Sequence, residues 1–231
     1  MLWRYWRWGY CLSRSWRFAS PRSSTRCRHC SGSAPGSAIA IHVQGTTAVS
    51  ERDLTEHPLD SKTVYRGRLL QVQEDTVRLP DGSTSRREYI VHPGAAVMLA
   101  MPDAATVIME RQYRYALRAH VYELPAGKID AGEAPLETAK RELLEETGYR
   151  AGEWRHLMTT YPVVGYSNER IELYLARDLE YVGHALDDGE FLDVFTLPLR
   201  EALDWVRSGR ICEAKTVMCL LLAERIVAGR W

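Results

Sequence analysis

Residues 127–149 read GKIDAGEAPLETAKRELLEETGY, and four of the five glutamates, Glu133, Glu142, Glu145 and Glu146, with one arginine give the segment its chemistry. Pro135 suits the first turn of a helix, where its missing N–H costs nothing, and Gly148 suits the residue just past the end. Between them Leu136, Ala139 and Leu143 recur at helical spacing and make a face for a core. Glu142, Glu145 and Glu146 lie about 100° or more round the wheel from the centre of that face. Offsets of three and four bring their side chains together, at a cost of roughly 0.2–0.5 kcal/mol per like-charged pair. A hard divalent cation reverses that cost, because Mg²⁺ takes oxygen ligands and is held by carboxylates together with substrate phosphates. An acidic run on a helix is ordinarily a solvated face. What sets this one apart is the full spacing: Gly127, Glu133, then Arg141, Glu142, Leu143, Glu145, Glu146, Gly148 and Tyr149. Arg141 is the i,i+4 partner of Glu145, and such a pair also orients a ligand from behind.

The elements that must carry this helix are short and mostly extended. Val64–Arg68 and Leu70–Arg78 alternate, Pro80-Asp81-Gly82-Ser83 is a turn, and Arg86–His92 returns as a strand. Ala95–Ala100, Thr106–Glu110 and Val121–Leu124 read as apolar strands, the last leading through Pro125-Ala126-Gly127 into the helix. Glu153–Thr160, Ile171–Ala176 and Leu192–Thr196 read as further strands, and Leu197–Arg207 and Glu213–Val227 as helices. Strands mixed with a few helices, without strict βαβ alternation, mean an α+β fold or a mixed-sheet sandwich.

The chain has 231 residues, 45% hydrophobic and 26% charged, enough for one domain with its own core. Its formal net charge of zero hides an asymmetry. Residues 1–50 hold seven arginines, no lysine and no acid, which leaves 23 basic against 30 acidic groups in residues 51–231. An acidic body argues against a nucleic-acid surface and suits a metal-dependent enzyme of small phosphates. Residues 1–50 are rich in Trp, Arg and Ser and are read as a basic tail and linker outside the fold, with 51–231 as the domain. Arg-rich, Ser-rich and acid-free, the tail meets the description of a mitochondrial transit peptide; a membrane-surface anchor or an upstream start codon are the alternatives, and a cytoplasmic protein is the leading expectation. Cys27 and Cys30 have a CxxC form, but no second pair follows at zinc-finger spacing, and five cysteines imply no disulfide framework. No apolar run of 18 residues exists, so no transmembrane helix is expected.

The segment 127–149 is identified as the signature of the Nudix hydrolases. The resemblance runs from about Tyr65 to Val227 and implies an α/β/α sandwich with a mixed β-sheet. Glu110-Arg-Gln-Tyr-Arg-Tyr115 and Tyr122-Glu-Leu-Pro-Ala-Gly-Lys128 look like the ADP-ribose pyrophosphatase branch of bacterial type. So does the proline 14 residues past Gly148, within Tyr161–Arg170, although the branch usually has Ser-Pro-Gly where this chain has Tyr161-Pro162-Val163. By resemblance, the carbonyl of Ala126 joins Glu142 and Glu146 as ligands of Mg²⁺, which Mn²⁺ can replace. Glu145 is then a third ligand or its hydrogen-bonding neighbour, with Arg141 beside it. Arg87, Arg114 and Glu123 match positions that contact ADP-ribose, and arginine suits a diphosphate because its planar fork binds two oxygens.

The branch places a catalytic base on the loop after the signature. Glu169 is the only acid between Glu153 and Glu172. The resemblance implies Mg²⁺-dependent hydrolysis of ADP-ribose or a related ADP-sugar to AMP and sugar 5-phosphate, by a homodimer in which Thr63–Arg78 contributes to the partner's site. The alternatives are a hydrolase of another nucleoside diphosphate sugar, such as GDP-mannose, and a non-catalytic regulator that senses ADP-ribose. Sensors of that kind lose signature glutamates; this chain keeps them all.

Overall fold

The computed structural model describes residues 52–231 apart from 184, 185, 187, 188 and 190. The expectations for residues 1–50, the Cys27–Cys30 pair among them, lie outside the described residues.

Central to the domain is a four-stranded mixed sheet of β4 (Ala95–Ala100), β7 (Ala126–Lys128), β8 (Tyr149–Thr160) and β9 (Ile171–Tyr181), in the order β7-β4-β9-β8. β4 runs parallel to β9 and antiparallel to β7, and β8 closes antiparallel on β9. A central strand with a parallel neighbour is covered on both faces and therefore reads as an unbroken apolar run, as AAVMLA does. Its alternate residues separate into two cores. Ala96, Met98 and Ala100 pack with Ile108, Tyr174, Ala139 and Leu143 beneath α1 (Pro135–Thr147). Val97, Leu99 and Met101 pack on the other side with Leu173, Leu203, Cys219 and Leu220, under α2 (Leu199–Arg207) and α3 (Ala214–Val227). Helices on both faces of a mixed sheet make the expected α/β/α sandwich.

A second sheet, β10-β5-β6, combines β5 (Thr106–Arg114), β6 (Ala119–Glu123) and β10 (Leu192–Pro198), all antiparallel. The third joins β1 (His57–Arg66), β2 (Gln71–Arg78) and β3 (Thr84–Val91). Its β2–β3 hairpin closes through Leu79–Ser83, where Gly82 takes φ 86 and the Asp81 carboxylate accepts the Ser83 N–H at 2.9 Å. β1 begins at His57, seven residues before Val64, where a strand is expected, and every residue of it is exposed. A strand without a buried face leaves no apolar alternation to read, which is why HPLDSKT escapes a pattern search. The helix expected from Leu197 starts at Leu199, because Leu197 and Pro198 still pair with Val107 and Thr106.

α1 starts and stops where its sequence dictates. Pro135 occupies the first turn and Gly148 ends the helix in the left-handed region at φ 75, its N–H donating to the Leu144 carbonyl at 2.9 Å. Ala139 and Leu143, both with no exposed surface, hold it on the sheet. Since Leu143 fixes the height of the three signature glutamates next to it, Leu143→Ala should cost about 2–5 kcal/mol of stability. Chemical denaturation of the variant against the parent measures this.

Candidate active site

Arg141 organises the α1 carboxylates. Its guanidinium donates to Glu133 through Nε at 3.1 Å and Nη2 at 3.0 Å, and through Nη1 to Glu142 at 3.0 Å and Glu145 at 2.9 Å. Glu133 also accepts the Thr138 hydroxyl at 2.7 Å, so this carboxylate fastens the arginine to the first turn of the helix. The Arg141 hydrogen bonds hold the Glu133 carboxyl down at about 2, and the same contacts raise the guanidinium above its ordinary value. Arg141 is thus both the expected partner of Glu145 and a clamp across three glutamates.

Glu142 stands over the edge strand β7. A side chain at 127 would run into the Glu142 carboxyl, so glycine is needed there for close approach and not for its backbone angles. One residue earlier, the Ala126 N–H donates to Glu146 Oε2 at 3.1 Å. Ala126, Glu142 and Glu146, which the resemblance assigns to a cation, are therefore brought together where α1 crosses β7. Glu146 is buried while Glu145 is the most accessible of the three. Among the described residues, no three His, Cys, Asp or Glu side chains already converge at ligand distance. Arg141 holds Glu142 and Glu145, and Glu146 is turned to the β7 backbone and to Glu110 on β5. The donor set nonetheless fits a hard divalent cation: carboxylate oxygens, a backbone strand beside them, and a cradle at Gly127 with no side chain to fill it.

A second charged group lies on the β5–β6 ladder. Arg114 grips Glu123 with both arms of its fork, at 2.6 and 2.9 Å, and Lys215 from α3 adds a third contact at 2.7 Å. Burial alone would raise the Glu123 carboxyl, but Arg114 and Lys215 outweigh it and hold the group below its ordinary value. The backbone between Glu123 and Ala126 is pinned too, since the Leu124 N–H donates to the buried Thr216 hydroxyl at 2.9 Å. So Arg114 and Glu123, expected as two substrate contacts, are each other's partners, with Glu123 three residues along the chain from Ala126. Lys215 and Thr216 carry no local signal for this role; they reach β6 from 92 residues away.

Glu169 sits at the end of the 161–170 loop, which is pinned to β3 by the Ile90 N–H donating to the Tyr166 carbonyl at 2.9 Å. Its own N–H donates to the Ser167 hydroxyl at 3.1 Å, and Asn168 accepts the His92 N–H at 2.8 Å. His92 Nδ1 approaches Glu169 Oε1 at 3.8 Å, but that nitrogen accepts the Gly94 N–H and the separation is too long for a hydrogen bond. Glu169 is two residues before Ile171, which pairs with Ala95, which in turn pairs with Lys128. The loop therefore delivers Glu169 to the end of the sheet where β4 and β9 begin and β7 finishes. Arg87 lies elsewhere, exposed on β3, with Glu56 bound to Nε at 2.8 Å and to Nη2 at 2.5 Å. Within one chain it does not join the α1 carboxylates.

No helix among the described residues is long and apolar enough to cross a membrane. Two family models divide the domain between them: residues 56–90 match the nucleoside diphosphate sugar hydrolase N-terminal domain, and residues 91–215 match the NUDIX domain. The chain is 39% identical to a methanol dehydrogenase activator of Bacillus methanolicus over 71% of its own length and 90% of that protein's. It is 35% identical to an ADP-ribose pyrophosphatase of Bacillus subtilis (strain 168), covering 78% of this chain and all of the relative. A crystal structure of an ADP compounds hydrolase superposes with a TM-score of 0.70 at 26% identity, over 78% of this chain and the whole of that one. The NUDIX match alone takes in more than half of the 231 residues, and the chain belongs to the Nudix family.

Proposed function

We propose that this chain hydrolyses the pyrophosphate bond of ADP-ribose or a related ADP-sugar, giving AMP and the sugar 5-phosphate, with Mg²⁺ as cofactor and Mn²⁺ as a working substitute. The observation that carries the reading is the convergence of Glu142 and Glu146 on the β7 backbone at Ala126–Gly127, with Glu123, on the strand that leads into it, gripped by Arg114 from β5. The relatives named for ADP-ribose and ADP compounds support it, as do the divalent metals that Nudix hydrolases generally use. The intact signature favours an enzyme over a sensor.

In this reading Glu142, Glu146 and the Ala126 carbonyl hold the cation, and Glu145 is either a third ligand or a neighbour that orients them. A cation held there would supply charge to neutralise the diphosphate oxygens and would lower the pKa of water. Arg141 offsets the repulsion between the Glu142 and Glu145 carboxylates and fixes how they are turned. Arg114 lies with its side chain half-exposed beside Glu123, and presents its remaining donors to the substrate. Glu169 takes the proton of the attacking water as its oxygen bonds to phosphorus and the bridging P–O bond breaks. Arg87 enters the site from a second copy of the chain, since β1–β3 presents Leu59, Val64, Tyr65, Leu69 and Leu70 to solvent, an apolar surface suited to a homodimer.

Glu146→Gln keeps shape and removes one ligand charge, so ADP-ribose hydrolysis with Mg²⁺ should fall by more than 100-fold with the fold intact, as circular dichroism would report. Glu169→Gln should lower kcat about 100- to 10,000-fold with little change in KM, and raised pH should partly rescue it. The assignment of substrate fails if GDP-mannose, run beside ADP-ribose, is turned over with the higher kcat/KM.

Light scattering at micromolar concentration should give the mass of a dimer. Tyr65→Glu, placed on the exposed face of β1, should shift it towards the monomer and take activity with it.

A further inference from the structure

Glu110 is a carboxylate that neither the signature nor the reading above uses. It ends the buried part of β5, stands opposite Glu123 in the β5–β6 ladder, and is only 4% exposed. Its carboxyl hydrogen-bonds that of Glu146, while its Oε1 is buried with no partner among the described residues. A group that merely filled this volume would be apolar, because a buried carboxyl with an orphaned oxygen is costly. The nearby cations are already engaged: Arg114 by Glu123, and Lys215 by Glu123 and Glu213. Hydrogen-bonded carboxyl oxygens stand about 2.5–3.0 Å apart. Adjacent ligands of an octahedral cation, at about 2.0–2.1 Å from the metal, are separated by roughly 2.9 Å. One cation can therefore take an oxygen from each of Glu110 and Glu146 with little movement of either.

We propose that Glu110 is a further ligand of the divalent cation, contributed by the sheet where Glu142 and Glu146 are contributed by the helix. The proposal rests on the cation reading above and adds to it a residue outside the signature. It also gives the orphaned Oε1 a function: the oxygen is a vacant donor for a hard cation, on a carboxyl already bonded to the one signature glutamate that is buried.

The test measures cation binding without substrate. Mn²⁺ is titrated into the full chain, into Glu110→Gln and into Glu146→Gln, by calorimetry and by the loss of free Mn²⁺ signal in electron paramagnetic resonance. Tm is recorded with and without Mn²⁺. Glutamine keeps the hydrogen bond to Glu146 but cannot supply the carboxylate that a cation ligand must become. Glu110→Gln should therefore bind Mn²⁺ about 10- to 100-fold more weakly, with a smaller Mn²⁺-induced rise in Tm. Its Tm without metal should equal or exceed the parent's. Glu110→Leu fills the same volume with an apolar group and should show the same loss, which keeps the test open should the glutamine variant fold poorly. Mn²⁺ affinity within twofold of the parent in either folded variant overturns the proposal, leaving Glu110 as a structural hydrogen-bond partner. A parent that binds no Mn²⁺ overturns the cation reading itself, a result distinguishable from the first.

Discussion

Glutamates at 142, 145 and 146 crowd one side of a thirteen-residue helix, and the Arg141 guanidinium is what allows the helix to carry them. Without it, like charges three and four residues apart oppose the helical conformation. Lysine would not replace it. An ammonium is a point charge with three donors, whereas the guanidinium spreads five over a rigid plane and here meets three separate carboxylates. Glu133 completes the device by anchoring the arginine to the N-terminal turn, where Thr138 and the Asp130 N–H also hold it. The signature's first glutamate thus acts on the later ones through an intermediary, which is why its spacing from Arg141 matters as much as its presence.

The β5–β6 ladder solves a different problem. Glu110 and Glu123 are both buried, side by side, and burial by itself drives both carboxyls toward the neutral form. Three donors from Arg114 and Lys215 stabilise the charge on Glu123, while Glu110 stays raised well above the ordinary carboxylate value. Burial leaves Glu110 raised, while the cationic partners of Glu123 outweigh the same effect, so facing residues on adjacent strands are driven in opposite directions. Lys215 also ties the start of α3 to this ladder, and the neighbouring Thr216 fixes the turn toward β7. The position of the backbone at Ala126 consequently depends on a helix nearly a hundred residues downstream.

How much of this the sequence discloses depends on where the determining contacts lie. α1 is written locally: Pro135, the Leu136–Ala139–Leu143 stripe and Gly148 fix its limits, and the Glu142 and Glu146 offsets put both over β7. The central strands are legible for the same reason, since AAVMLA has no polar residue to contradict burial. Glu110 is different. A charge closing the apolar run TVIME looks like a strand end reaching solvent, and only the β6 and α1 neighbours bury it. Lys215 and Thr216 open a helix whose sequence says nothing of β6. β1 is opaque from both directions, because with every residue exposed it has no buried face to set an alternation, and the expected start at Val64 follows its Val64–Tyr65 pair.

At 126 and 127 the chain presents a contrast in what heredity can record. Every amino acid brings the same carbonyl, so any donor that position 126 offers through its main chain survives every substitution and leaves no trace in the residue chosen. Position 127 behaves oppositely, for it contributes no atom to the chemistry and is restricted to the one residue that leaves room for Glu142. The information specifying this corner of the molecule is therefore displaced by one place, from the residue with the donor to the residue that makes space. An atom-by-atom search for functional side chains would pass over both.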